Sequence, residues 1–79
     1  MAFAETEKEW AERVARHLKA ELKRADVTYE ELALRLRVHG FDETKASITN
    51  KLSRATLSAH FFLASLAAID RYSLKIEDM

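Results

Sequence analysis

Residues 27–54 read VTYEELALRLRVHGFDETKASITNKLSR, and the fold turns on them. Thr28 and Glu31 stand at the spacing of a capping box, in which the hydroxyl accepts from one orphan amide and the carboxylate reaches back to another. A helix opening there turns Leu32, Ala33 and Leu36 to one face, with Tyr29 in its first turn. It is expected to end near Val38, because Gly40 supplies the left-handed backbone position that commonly stops a helix. Beyond it, Asp42 or Thr44 caps a further helix through about Ser53, with Ile48 and Leu52 as its core pair.

Working outward, the same signals recur. Thr6 and Glu9 repeat the capping-box spacing before a helix expected from about Thr6 to Arg24, where Trp10, Val14, Leu18 and Leu22 recur at every fourth position and line one face. Lys19, Lys23 and Arg24 lie towards its end, where cations favour the helix dipole. Ser58 caps a fourth helix whose Phe62, Leu66 and Ile69 face inward. The tail alternates Tyr72, Leu74 and Ile76 with polar residues, a pattern equally consistent with a short strand or a helical turn. There is no proline and one glycine, so the turns that a strand-rich domain needs are missing. Ala, Leu, Glu, Lys and Arg dominate, and all are good helix formers. The expectation is one all-α domain over 1–79, with a core of about 6–70 and a tail of 71–79.

Without cysteine, disulfides and thiolate zinc sites are excluded, which suits a reducing, cytoplasmic setting. The opening stretch MAFAETEKEW carries charge where a signal peptide needs an apolar run. Phe61 to Ile69, interrupted by Ser65, falls far short of the roughly 20 residues that span a bilayer. The net charge is zero, but it is segregated. Residues 1–24 hold six cations against five acids, whereas residues 35–56 hold five cations against two acids. Nonspecific DNA affinity comes largely from cations that displace counterions, so the basic middle of the chain is where such binding would lie.

A long helix, then Val27-Thr28-Tyr29-Glu30-Glu31-Leu32-Ala33, a connector, a short helix with Ile48 inside and a further apolar helix: this order resembles the helix-turn-helix domains of the lambda-repressor and Cro type. The resemblance spans roughly residues 10–74. More narrowly, Thr28–Ala33, Ile48-Thr49-Asn50-Lys51-Leu52-Ser53-Arg54 and Phe61-Phe62-Leu63 are similar to a family of small bacterial, repressor-like proteins of unassigned function. The chain departs from the common motif between Leu36 and Ile48, where Arg37-Val38-His39-Gly40-Phe41-Asp42-Glu43 make the turn longer. Phe41 is expected to anchor this enlarged turn by burying against the core.

The resemblance implies a four- to five-helix, lambda-repressor-like fold in a bacterial or phage transcription regulator that binds duplex DNA. The helix near 44–54 would read the major groove. With Ile48 and Leu52 inward, Thr44, Lys45, Ser47 and Lys51 are expected on the outer face, with Thr49 and Asn50 at its margins. Asn pairs bidentately with adenine and Lys donates to guanine acceptors. Arg54, Arg35 and Arg37 are expected to contact phosphates, and Thr28 opens a helix whose free amides suit a phosphate.

Other classes find little support. His17, His39 and His60 lack a second ligand at metal spacing, no nucleophile has a base at recognisable spacing, and no glycine loop cradles phosphate. Neither a cofactor, a small-molecule substrate nor a membrane partner is expected. Trp10, Phe61 and Phe62 fit a core better than a stacking platform. Adjacent helical residues cannot all point inward, so Phe61 or Leu63, together with Tyr72, Leu74 and Ile76, is expected to supply a homodimer contact. The rival reading is a protein-interaction adaptor that keeps this fold without binding DNA.

Overall fold

The computed structural model describes residues 4–79, so the first three positions of the expected 1–79 domain lie outside the described residues. Four helices follow in order: α1 (Glu7–Arg24), α2 (Tyr29–Val38), α3 (Lys45–Arg54) and α4 (Ala59–Ala68), with a short 3-10 turn over Ile76–Asp78. No strand occurs among the described residues, and the tail takes the helical turn rather than the strand. α2 packs against α3 and α4, and α1 packs against the same two helices. None of the described helices is long and apolar enough to cross a membrane.

Each helix begins on a hydroxyl. Thr6, Thr28, Thr44 and Ser58 are the N-caps, and each side chain accepts a hydrogen bond from the amide three residues on. Only α3 has the full reciprocal box, because Ser47 accepts from the Thr44 amide at 2.8 Å. At α1 the Glu9 carboxylate reaches one residue further back, to the amide of Glu5, and at α2 the Glu31 carboxylate takes Arg35 instead.

Each helix also ends the same way. The amide of the residue after a left-handed one returns to a carbonyl five residues back: Val27 to Leu22, Phe41 to Leu36, Thr56 to Lys51 and Arg71 to Leu66. The amide just before it closes the inner ring, giving four Schellman motifs. The left-handed residues are Asp26, Gly40, Ala55 and Asp70, with φ of 56°, 85°, 54° and 63°. Gly40 takes that conformation freely, and Asp tolerates it through local hydrogen bonding. Ala55 has neither advantage.

The core gathers Leu18 and Leu22 from α1, Leu32 and Leu36 from α2, Ile48 and Leu52 from α3, and Phe61, Phe62 and Leu66 from α4. Burying each such side chain is worth about 1.5–3 kcal/mol. Two expectations are corrected. Trp10, expected on the inner face, is 39% exposed, because it lies in the first turn of α1, a full turn beyond half-buried Val14. Phe61, expected as a dimer contact, is 1% exposed: α4 is apolar nearly all round, and its buried side is centred between Phe61 and Phe62, leaving Leu63 outside. The same packing buries Ser65, whose hydroxyl has no hydrogen-bond partner among the described residues.

Two substitutions follow. Ala55→Gly relieves left-handed strain at the end of α3 and is expected to stabilise the domain by about 0.5–1 kcal/mol, net of the extra freedom of the unfolded chain. Ser65→Ala removes a desolvated, unpaired hydroxyl and is expected to raise stability by about 1 kcal/mol. Thermal unfolding followed by circular dichroism reads both as a rise of a few degrees in Tm.

Candidate nucleic-acid interface

α3 holds on to the core by Ile48 and Leu52. At about 100° per residue, the positions opposite that pair are Ala46 and Asn50, with Ser53 and Arg54 beside them and Thr49 at the margin. All five are exposed, as are Thr44 and Lys45 at the start of the helix. The Thr49 hydroxyl donates to the Lys45 carbonyl at 2.8 Å, which leaves its oxygen free to accept from outside.

The expected outer face of Thr44, Lys45, Ser47 and Lys51 is therefore shifted. Thr44 is the N-cap. Ser47 and Lys51 are half-buried, one turn apart on a flank that faces Glu43. The Ser47 hydroxyl donates to Glu43 Oε1 at 2.7 Å, and the Lys51 ammonium pairs with Glu43 Oε2. Lys51 also sits 4.7 Å above the centroid of the Phe61 ring, an attractive placement for a cation on an aromatic face. Glu43 itself is only 8% exposed. The outward crest of α3 is thus Ala46, Thr49, Asn50 and Ser53, with Lys45 and Arg54 at its two ends.

The enlarged turn makes this possible. Phe41 packs half-buried against the core, edge-on to Phe61 at 6.2 Å and stacked on His60 at 6.1 Å. Phe41 and Glu43 together pin the segment between α2 and α3 from both sides. His17 meets the edge of Phe62 at 6.1 Å, as a residue at the boundary of the core. No group of three or more His, Cys, Asp or Glu placed to hold a metal occurs among the described residues.

The expected phosphate-contacting residues separate. Arg37, Thr28, Thr44 and Lys45 line one groove of about 360 Å³ between α2 and the start of α3, which also carries Glu30, Glu31 and Glu43. Arg37 and Lys45 have no acidic partner among the described residues. Thr28 spends its hydroxyl oxygen on the Glu31 amide. Arg35 lies elsewhere: Nη1 donates to the Ala68 carbonyl at 3.2 Å and Nε to Glu31 at 3.2 Å, so it closes the end of α4 rather than flanking α3.

At the other end of α3 lies a cleft of about 460 Å³ that sequence reasoning did not find. Arg54, Ser53 and Leu52 form one wall, and Lys8, Glu12, Arg16 and Lys19 of α1 form the other. Lys8 and Glu12 pair at 3.9 Å, while Arg16, Lys19 and Arg54 have no acidic partner among the described residues. Positions 8, 12, 16 and 19 were legible as one stripe of α1. That the stripe faces the end of α3 is tertiary information.

The expected dimer contacts scatter as well. Leu63 and Ile76 are exposed; Tyr72 joins Val38 and Ala67 in a groove of about 280 Å³, and Leu74 turns to a cavity beside His17 and Glu21. Tyr72 donates to Asp70 Oδ1 at 2.6 Å, and that bond to a carboxylate pushes the phenol above its ordinary pKa. Arg71 pairs with Glu21 at 2.8 Å and the Met79 carbonyl accepts from Arg13, so the tail is laid along α1.

Glu43 is the joint to test. Glu43→Ala strips α3 of two contacts and leaves a half-buried ammonium unpaired. It is expected to cost about 1–2 kcal/mol, less than a fully buried pair because Lys51 retains some water. Glu43→Gln keeps an acceptor for Ser47 and is expected to fall between wild type and Glu43→Ala in urea denaturation.

Residues 10–74 match the family model described as a domain of unknown function, DUF6471. No curated protein and no solved structure matches the chain. The match covers α2, α3 and α4 together with most of α1, and so the whole of the α3 crest, Glu43 and the Arg16, Lys19 and Arg54 walls of the cleft. On that extent of agreement, the chain belongs to the DUF6471 family of small domains of unassigned function.

Proposed function

We propose that this domain is a duplex-DNA-binding regulator of the helix-turn-helix type, with α3 as the helix that enters the major groove. The observation that carries the reading is the crest of α3: exposed, polar at Thr49, Asn50 and Ser53, and bounded by cations that form no ion pair among the described residues, Lys45 and Arg37 near its start and Arg54 at its end. Asn50 supplies an acceptor for the N6 amino group and a donor for the N7 that adenine presents in the major groove, and Lys45 a donor for guanine. The cations supply the sequence-independent attraction to phosphate. In this reading the partner is DNA, neither cofactor nor small-molecule substrate is involved, and the domain works in the cytoplasm as a homodimer on paired half-sites.

Zero net charge and one further observation favour the adaptor reading. Val38 is 86% and Tyr72 79% exposed, and they share an apolar groove with Ala67 and Ala68. A protein partner would bury that groove without needing α3.

Fluorescence anisotropy with random duplex DNA at low and moderate salt separates the two. DNA binding gives an affinity that falls steeply as salt rises, whereas an adaptor gives no saturable binding even at low salt. On a selected site, Asn50→Ala is expected to weaken binding by about tenfold or more and to relax discrimination at one base pair, at about 1–3 kcal/mol per lost bidentate contact. Unchanged sequence preference in Asn50→Ala and Lys45→Ala would remove α3 from the reading role.

A further inference from the structure

We infer that the cleft between α1 and the end of α3 seats the phosphodiester backbone of one DNA strand, gripped by Arg16, Lys19 and Arg54; this rests on the duplex-DNA reading above. Three features point to this occupant. The first is charge: the one acid in the cleft, Glu12, is engaged by Lys8, so Arg16, Lys19 and Arg54 face it with no acidic partner among the described residues. The second is continuity: Ser53 and Arg54 belong both to the cleft and to the outward side of α3, so a strand leaving the reading helix passes directly into it. The third is spacing. Arg16 and Lys19 are three residues apart, so both stand on one face of α1 and can reach the same strand.

The chemistry suits the residues. Guanidinium groups meet phosphate oxygens bidentately, Lys19 adds a point charge, and the Ser53 hydroxyl can donate to a remaining oxygen. Because α1 and α3 are far apart in the chain, the folded domain alone assembles this grip. It positions the module without reading bases, and so sets where along the duplex the α3 crest falls.

The test is Arg16→Gln with Lys19→Gln, both exposed helix positions where glutamine is a good helix former, set beside Lys23→Gln as a control. Lys23 is an exposed α1 cation outside the cleft. Anisotropy is measured between about 50 and about 200 mM salt, and losing two phosphate contacts is expected to shrink the wild-type drop in affinity by about tenfold, equally for every duplex sequence. Lys23→Gln is expected to leave the salt dependence as it is. Circular dichroism melts verify that all variants fold. If wild type binds duplex DNA and the double variant keeps the wild-type salt slope, or Lys23→Gln flattens it equally, the cleft inference falls and the α3 reading stands. If wild type binds no duplex at all, both fall together. A polyglutamate peptide that binds wild type more tightly than duplex DNA does at the same salt, and loses that binding in the double variant, would overturn phosphate in favour of an acidic protein segment.

Discussion

A carboxylate held almost out of water governs this domain. Glu43 stands at the end of the long connection between α2 and α3, accepts from Ser47 and pairs with Lys51, so that two donors one turn apart on α3 converge on it. With Phe41 on the other side of the same segment packed against Phe61, the connection is tied to both the helix it leads into and the core beneath. A ten-residue helix with two core side chains is loosely held by burial alone. The two charged and polar ties from Glu43 fix its rotation, and the rotation decides which side chains reach solvent.

That arrangement explains how a neutral chain presents basic ground. Lys51 is consumed by Glu43, Arg35 by Glu31 and the end of α4, and Arg24 and Arg71 by Glu21. Among the described residues, Arg37 and Lys45 near the start of α3, and Arg16, Lys19 and Arg54 near its end, form no ion pair. Of the acids, Glu12, Glu21, Glu31 and Glu43 are held in ion pairs within the domain. Sequence-averaged charge conceals this; the distribution of ion pairs reveals it.

Much of the fold was legible because its signals are local. Thr6, Thr28, Thr44 and Ser58 each announce a helix by a hydroxyl, and the inward rows of Leu32, Leu36, Ile48, Leu52, Phe62 and Leu66 follow from helical spacing. The candidate site was legible only in part. Thr49, Asn50 and Arg54 are outward, but Ser47 and Lys51 were misplaced because polar residues were assigned to solvent without a partner for them in view. That partner, Glu43, is brought under α3 by a turn conformation that no short-range pattern encodes. Ala46, on the crest, has no polar atom and so carries no signal of contact in the sequence. The α1 wall of the cleft was hidden for a different reason: its cations look like any solvated helical stripe until α3 is laid against them.

The left-handed alanine at the end of α3 has a mechanical consequence. Ala55 lies in a conformation that costs an L-residue about 1–2 kcal/mol. Opening that junction releases the strain, whereas opening the start of the helix means breaking the Glu43 ties. That strain is locked in by the amides of Ala55 and Thr56, which close onto Leu52 and Lys51, so the far end of α3 is a small reservoir of stored energy set directly beside Ser53 and Arg54.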